Sequence, residues 1–325
     1  MVHAIRIHEY GGPEALRWDE VEVGDPGPGE VRLRQTAVGL NYIDTYHRTG
    51  AYKMPQLPAI IGAAAAGVVE AVGPKVTALK VGDRVAYAPT AGGAYTQARV
   101  MSSERLVPLP SWIGEEQAAG MMLQGMTAQY LLRSTYRVQP GDTILVQAAA
   151  GAVGLILCQW AKHLGATVIG TVSTDEKAEL ARAYGCDHPI VYSREDFPVR
   201  VKEITGGQGV PVVYDGVGKT TFMASLDCLR PRGLMVLFGA ASGPPAPLDL
   251  GVLAAKGSLY VTRPTLFTYV NKRDDLMSSA ADLFDVVHAG GVKIDVRQTY
   301  PLRDAEQAHR ALEGRQTTGS TVLIP

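Results

Sequence analysis

Thr143-Ile144-Leu145-Val146-Gln147-Ala148-Ala149-Ala150-Gly151-Ala152-Val153-Gly154 decides the reading of this chain. A short apolar run rich in β-branched residues passes through Ala149, Gly151 and Gly154 and continues as an amphipathic pattern from Leu155 to Leu164. The pattern predicts a strand, a tight turn and a helix. Such a turn presents backbone N–H groups and the positive end of a helix dipole to a pyrophosphate, so its residues must lack bulky side chains. Gly151 permits close backbone approach, and Gly154 permits the helix to pack on the strand. Ala149 stands where a glycine is usual, so the turn alone also fits a plain strand-to-helix connection.

The surroundings favour the nucleotide reading. Apolar runs at Thr143–Gln147, Thr167–Val172, Pro189–Tyr192, Val210–Asp215, Gly233–Phe238 and Ser258–Thr262 alternate with helical patterns. Parallel strands joined by crossover helices make an α/β, doubly wound Rossmann sheet, and the glycine turn lies in its first strand–helix unit.

Upstream, the runs are shorter and often alternate in polarity: His3–Tyr10, Leu16–Val23, Glu30–Val38, Gly67–Val72, Arg84–Pro89 and Tyr95–Met101. Turn chemistry such as Gly27-Pro28-Gly29-Glu30 and Val81-Gly82-Asp83-Arg84 punctuates them, which predicts a partly open β-barrel. A helical pattern between Trp112 and Tyr136, containing Thr127, bridges to the sheet. Beyond Arg263 the pattern predicts a helix near Arg273–His288, a strand near Val296–Tyr300, a helix near Arg303–Leu312 and a strand Ser320–Ile324. The last elements are expected to return to the barrel, because the sheet already has its strands. The expected domains are residues 1–125, completed by about 295–325, and residues 126–294.

Bulk properties narrow the function. The chain has 325 residues, 46% of them hydrophobic, enough for two cores. A formal net charge of −1 gives no electrostatic reason to expect nucleic acid or a membrane as partner. The three cysteines, Cys158, Cys186 and Cys228, follow no metal or disulfide spacing and suit a reducing compartment. His3, Arg6, His8 and Glu9 interrupt the N-terminus where a secretion signal would be apolar, and no apolar run is long enough to span a bilayer. A cytoplasmic protein is expected.

Several separated segments resemble the medium-chain dehydrogenases/reductases, in particular the NADPH:quinone oxidoreductases of the ζ-crystallin type. They are Gly39-Leu40-Asn41-Tyr42-Ile43-Asp44, Gly62 through Gly73, Gln147 through Gly154 with Gln159, Val213-Tyr214-Asp215-Gly216-Val217-Gly218, Leu237-Phe238-Gly239 and Val261-Thr262-Arg263-Pro264. The resemblance spans essentially the whole chain and implies a Rossmann domain with a GroES-like, mainly β barrel. Zinc-dependent relatives carry Gly-His-Glu-x-x-Gly at the second segment, where this chain has Gly62-Ala63-Ala64-Ala65-Ala66-Gly67. Alanine offers no metal ligand, and Asn41 and Tyr42 occupy the loop of the first cysteine ligand, so the zinc-free branch is the better match and no metal site is assigned. Ala64 replaces a glutamate usually kept even in that branch.

The resemblance implies NADPH as cofactor. At the position after the second Rossmann strand, where an acid would bind the ribose of NAD, the family spacing places Ser173. Asp175 and Glu176 are rivals for that role. The order Ser173-Thr174-Asp175-Glu176 is read by preference as a capping box with Ser173 as N-cap. Family equivalents of Lys177 and Tyr192, with Ser173 and Arg315, contact the 2′-phosphate; Lys177 also fits a solvated helix lysine. Two charge-assisted contacts of roughly 1.5 to 3 kcal/mol each would discriminate by about 10² to 10⁴. Thr127, Gly151, Ala152, Val153, Gly154, Phe238, Gly239 and Asn41 complete the implied coenzyme contacts.

Residues 41–48 and Tyr52 read as a polar, aromatic loop between barrel strands. The resemblance places Asn41, Asp44, Tyr46 and Tyr52 at the cleft near the nicotinamide, with Arg263 and Phe267 opposite. Aromatic walls suit a flat quinone, and amide, tyrosine or arginine donors stabilise charge developing on its oxygen. Tyr46 and Tyr52 read equally well as core aromatics. The implied activity is quinone reduction without a metal. Reduction of the C=C bond of an α,β-unsaturated carbonyl, or a non-catalytic RNA-binding or crystallin-like role, are the alternatives. The run 256–262 predicts a sheet edge, and relatives pair this edge in a homodimer.

Overall fold

The computed structural model describes residues 1–325. In chain order, β1 (Val2–Ile7), β2 (Leu16–Val21) and β3 (Glu30–Leu40) lead to helix α1 (Tyr42–Thr49), followed by β4 (Ala59–Ile60), β5 (Ala64–Val72), β6 (Arg84–Tyr87), β7 (Ala98–Ser102) and β8 (Val107–Pro108). Helix α2 (Glu115–Tyr130) continues as a π-helical turn, Leu131–Thr135. Then come β9 (Thr143–Val146), α3 (Ala152–His163), β10 (Thr167–Val172), α4 (Asp175–Ala183), β11 (His188–Val191), α5 (Phe197–Ile204), β12 (Val210–Asp215), α6 (Phe222–Asp227) and β13 (Leu229–Leu237). Helix α7 (Gly251–Ala255), β14 (Tyr260–Thr262), α8 (Leu266–Tyr269), α9 (Arg273–His288), β15 (Val296–Pro301), α10 (Ala305–Glu313) and β16 (Ser320–Ile324) complete the chain.

Two compact units result. The first comprises Met1–Met126, Val270–Ala281 and Ile294–Pro325; the second comprises Thr127–Tyr269 and Asp282–Lys293.

In the first unit a seven-stranded sheet contains the path β15-β16-β3-β5-β6-β8, with β7 pairing β3. β3 is its axis, because 11 residues of alternating and then continuous burial let it pair β7, β5 and β16 in turn. Register shifts between Arg32 and Leu33 and between Gln35 and Ala37 bend the β3–β5 ladder, as bulges do where a sheet must curl. Ile5, Leu33, Val69, Val85, Leu106 and Leu323 fill the interior. Each fully buried aliphatic contributes roughly 1.5 to 3 kcal/mol. β15 and β16, parallel and linked through α10, place the C-terminal strands in this sheet.

Helix α2 lies close over β3 and β16 because the facing residues are small. A methyl on Gly39 would be driven into the carbonyl oxygen of Ala119. One residue along α2, Gly120 accepts a 2.6 Å hydrogen bond from the Ser320 hydroxyl. This contact fixes the end of β3, from which α1 departs.

The second unit is a six-stranded parallel sheet in the order β11-β10-β9-β12-β13-β14. Counting from β9 this is 3-2-1-4-5-6, the doubly wound order that right-handed crossovers produce. Leu145, Ile169, Val213 and Met235 pack between sheet and helices. β13 starts at Leu229, earlier than the sequence suggests; Pro231 and left-handed Arg232 interrupt the apolar pattern, and the ladder with β12 shifts register there.

Gly39→Ala is expected to lower stability by about 1 to 3 kcal/mol, the usual range for overpacking. Gly24→Ala, in a loop where an added methyl meets nothing within 4 Å, serves as the neutral control. Urea midpoints of the two variants check this contrast.

Candidate active site

In the second unit, the turn after β9 is set by crowding. Ala148 takes a left-handed φ of 56°, and its carbonyl points where a Cβ on Gly154 would lie; that Cβ would also come within 2.8 Å of the Ala149 carbonyl carbon. Ala149 is tolerated in place of glycine because Gly170 on β10 faces it: a methyl on Gly170 would stand 2.6 Å from the Ala149 methyl. Gly151 is the N-cap of α3 and has no side chain with which to cap it. The amides of Ala152, Val153 and Gly154 therefore open the helix with no intrahelical acceptor. This is an anion cradle that a larger residue would fill, and it fits a pyrophosphate.

A buried polar brace holds the cradle. The Thr171 hydroxyl donates to Gln147 Oε1 and accepts from the Ala148 amide at 3.3 Å. Gln147 Nε2 donates to Ser225 Oγ at 3.0 Å, and Ser225 donates to Asp215 Oδ2 at 3.1 Å. Asp215 also accepts from Thr221 and from the amides of Val217 and Gly218. Burial raises its pKa above the ordinary carboxylate value while these donors hold it down. Beyond it, Phe238 is half-buried, and its amide donates to the Asp215 carbonyl at 2.9 Å. A Cβ on Gly239 would lie 2.6 Å from the Gly216 carbonyl oxygen. Thr127 is buried on α2; Arg263 follows β14; Phe267 on α8 is exposed.

The α4 entry corrects the sequence reading. Thr174, not Ser173, is the N-cap: its hydroxyl accepts from the Lys177 amide at 3.3 Å. Ser173 lies between β10 and the cap, its carbonyl accepting from the Ser193 hydroxyl at 3.2 Å, and the helix starts one residue later than expected. Asp175 and Glu176 lie in the first turn as expected. Tyr192, half exposed, emerges beside Ser173 because Val172 pairs Val191 in the parallel ladder. Arg315 belongs to the first unit, in a left-handed turn after α10, whereas Ser173, Lys177 and Tyr192 belong to the second.

In the first unit, residues 42–49 are helical rather than a loop. Asn41 is the N-cap residue and its amide donates to Asp44 Oδ2 at 2.8 Å; left-handed Gly50 ends the helix. The helical period turns Asp44, His47 and Arg48 inward and leaves Tyr42 and Tyr46 at the margin. Tyr46 meets the exposed Tyr52 edge-on, ring centroids 5.2 Å apart, so neither is a core aromatic. Asn41 is 5% exposed; its Nδ2 donates to the Gly39 carbonyl at 3.0 Å, while its buried Oδ1 has no partner. An unsatisfied buried acceptor costs roughly 1 to 3 kcal/mol, which a ligand N–H at Asn41 would recover. Gln124 on α2 is buried with both amide atoms unpaired, and no local pattern marks it.

Also unforeseen is what stands behind α1. Arg48 is buried, donating from Nη1 to His309 Nδ1 at 2.9 Å and forking onto Glu313 with two 2.8 Å bonds. A guanidinium only donates, so His309 Nδ1 accepts and Nε2 carries the proton. Nε2 lies 3.0 Å from Tyr95 Oη, and the Tyr95 hydroxyl donates to Asp44 Oδ2 at 3.2 Å. Burial pushes Asp44 up to about 7, against the hydrogen bonds from Asn41 and Tyr95. Burial, assisted by Arg48, pushes His309 down to about 3.

The donor set does not suit zinc. Ala63 and Ala64 are buried on the entry to β5, the cysteines lie buried and unpaired in the second unit, and no three His, Cys, Asp or Glu side chains converge.

The two buried groups pull stability in opposite directions with pH. Between about pH 4 and 7 native Asp44 keeps a proton that the unfolded chain has lost, so stability falls as pH rises. Between about pH 6.5 and 3 native His309 refuses a proton that the unfolded chain accepts, so stability falls as pH drops. Each slope is on the order of 1.4 kcal/mol per pH unit, and they largely cancel. Asp44→Asn is expected to lose stability on acidification from pH 6.5 to 4, and His309→Gln to gain it. Denaturant midpoints across that range check both; parallel profiles for the variants and the parent chain would contradict the assignment.

Family models match residues 27–142 as an alcohol dehydrogenase GroES-like domain and residues 152–279 as a zinc-binding dehydrogenase. The chain is 53% identical over 325 residues to a quinone oxidoreductase of Pseudomonas aeruginosa, with both chains fully covered. It is 52% identical to a 2-haloacrylate reductase of Burkholderia sp, covering 100% of this chain and 99% of that one. Among solved structures, that of Escherichia coli quinone oxidoreductase complexed with NADPH matches with a TM-score of 0.98 and 49% identity, covering 99% of this chain and 100% of that one. With both units and the whole length thus matched, the chain belongs to the quinone oxidoreductase family of the medium-chain dehydrogenases/reductases.

Proposed function

We propose that this chain is an NADPH-dependent oxidoreductase that reduces quinones. The observation that carries the reading is the uncapped start of α3, where Gly151 and Gly154 leave room that side chains would close. When bound, NADPH supplies a hydride, which together with a proton from solvent converts a quinone to its hydroquinone. The amides of Ala152, Val153 and Gly154 bind the pyrophosphate, and Gly151 lets it approach. Ser173, Lys177 and Tyr192 take the 2′-phosphate, with Arg315 as a further candidate. Thr127, Phe238, Gly239 and Phe267 of the second unit would bound the nicotinamide half, and Asn41 of the first unit, with its unpartnered Oδ1, would offer the coenzyme an acceptor.

Tyr46, Tyr52 and Arg263 are assigned to the quinone oxygens, where their donors stabilise developing charge. Asp44 is assigned as the group that fixes the α1 entry and so orients Asn41, since its carboxylate accepts the Asn41 amide. No step uses a metal. The 2-haloacrylate reductase relative favours a second reading, reduction of an activated C=C bond with the same coenzyme.

The fold leaves β14 at the edge of its sheet, paired only to β13, with Tyr260 62% exposed. A homodimer paired along this edge is proposed. Three unpaired cysteines support residence in the reducing cytoplasm.

NADPH oxidation is expected to proceed with quinones, to be much slower with NADH, and to be unchanged by a chelator; faster turnover of 2-haloacrylates or enones would favour the second reading. Tyr46→Phe combined with Tyr52→Phe is expected to lower kcat by about tenfold or more, on the order of one or two lost charge-stabilising hydrogen bonds. Sedimentation of the parent chain is expected to show a dimer that Tyr260→Glu with Val261→Glu converts to monomer.

A further inference from the structure

The loops that follow β10 and β11 are tied together at three successive points. The Tyr192 amide donates to the Val172 carbonyl at 3.1 Å, and the Ser193 hydroxyl donates to the Ser173 carbonyl at 3.2 Å. Arg194 then forks onto Asp175, Nη1 to Oδ2 and Nη2 to Oδ1, both at 2.6 Å. Asp175 is the first residue of α4, two residues after Ser173 and two before Lys177. An unpartnered carboxylate beside the end of the second sheet strand accepts ribose hydroxyls and repels a phosphate ester. Here both carboxylate oxygens are engaged by a guanidinium that stays charged at any working pH, in the planar two-bond geometry that makes such pairs strong.

We propose that Arg194 is a specificity-determining positioning residue: by engaging both oxygens of Asp175 it removes the charge that would otherwise exclude a 2′-phosphate from Ser173, Lys177 and Tyr192. Both oxygens of Asp175 are then committed to a cation, which turns them away from a ribose diol, and the carboxylate charge is offset where the phosphate ester arrives. Arg194 acts through Asp175 and need not touch the nucleotide. The inference rests on the NADPH reading above and adds to it the residue pair by which an acidic helix entry becomes compatible with that coenzyme.

Titration calorimetry of the full chain with adenosine 2′,5′-bisphosphate and with 5′-AMP tests it, since these probes differ only in the 2′-phosphate. Arg194→Ala is expected to weaken the bisphosphate about five- to twentyfold at low ionic strength, the size of one unscreened carboxylate near a phosphate dianion, and to spare 5′-AMP. Adding Asp175→Asn to Arg194→Ala is expected to restore affinity to the parent value, and Asp175→Asn alone, which leaves the Arg194 charge uncompensated, to tighten it. Unaltered bisphosphate affinity in Arg194→Ala overturns the proposal while leaving NADPH in place. A loss that Asp175→Asn does not rescue also overturns it, because Arg194 would then be contacting the phosphate itself. If the parent chain shows no preference for the bisphosphate over 5′-AMP, the NADPH reading fails and this proposal fails with it.

Discussion

The carbonyl oxygen of Ala148 is the point on which the nucleotide half of the molecule is built. It points at the start of α3 so closely that residue 154 has no room for a side chain, and the left-handed turn at Ala148 aims it there. A non-glycine residue in that conformation carries strain of order 1 kcal/mol or more and persists only where its surroundings over-determine it. Here they do. Thr171, Gln147, Ser225 and Asp215 form a hydrogen-bonded line across the ends of β10, β9 and β12, and the Ala148 amide is part of it. The sheet order brings these strands side by side, so a single topological fact supplies both the turn and the brace that holds it.

The first unit solves a different problem, keeping charged and polar groups ordered in an apolar interior. Asp44, Tyr95, His309 and Arg48 are all buried, and each is hydrogen-bonded to the next, with Asp44 engaged through Oδ2. The chain of donors has one direction, imposed by a guanidinium that cannot accept. Buried ion pairs contribute little net stability once desolvation is counted, and their surer effect is to specify one arrangement. What is specified here is the seat of α1, and with it the position of Asn41, whose side-chain oxygen is left without a partner. The unsatisfied Asn41 oxygen is thus held on a helix whose buried face is tied to the rest of the unit by this relay.

Much of the sheet was legible because its strands are buried on both faces. Val-Ile-Leu-rich runs such as 143–146 and 210–215 admit few other readings, and right-handed crossover fixes their order once the first is found. The helix at 42–49 was less legible because Tyr-Ile-Asp-Thr-Tyr-His-Arg-Thr has no apolar stripe; what it buries is polar. Its signal lay in its ends, Asn41 with Asp44 three residues on and Gly50 beyond. At α4 two cap-competent residues stand in tandem, and it is the Thr174 hydroxyl that accepts from the Lys177 amide. The pairing of Tyr95 with His309 joins positions 214 apart, and no local pattern encodes it. Gln124 was hidden likewise, as a polar residue inside an otherwise apolar helix.

The Ala149 methyl occupies space that Gly170 leaves vacant on the neighbouring strand. Two positions 21 apart in sequence therefore share a single allowance of volume. Glycine at 149 would remove only one of two obstacles to a methyl at 170, because that methyl would also stand 2.7 Å from Cys186 Sγ. Ala149 keeps its methyl only while residue 170 has none, so the tightness of this corner belongs to three residues, Ala149, Gly170 and Cys186, not to the glycine turn alone.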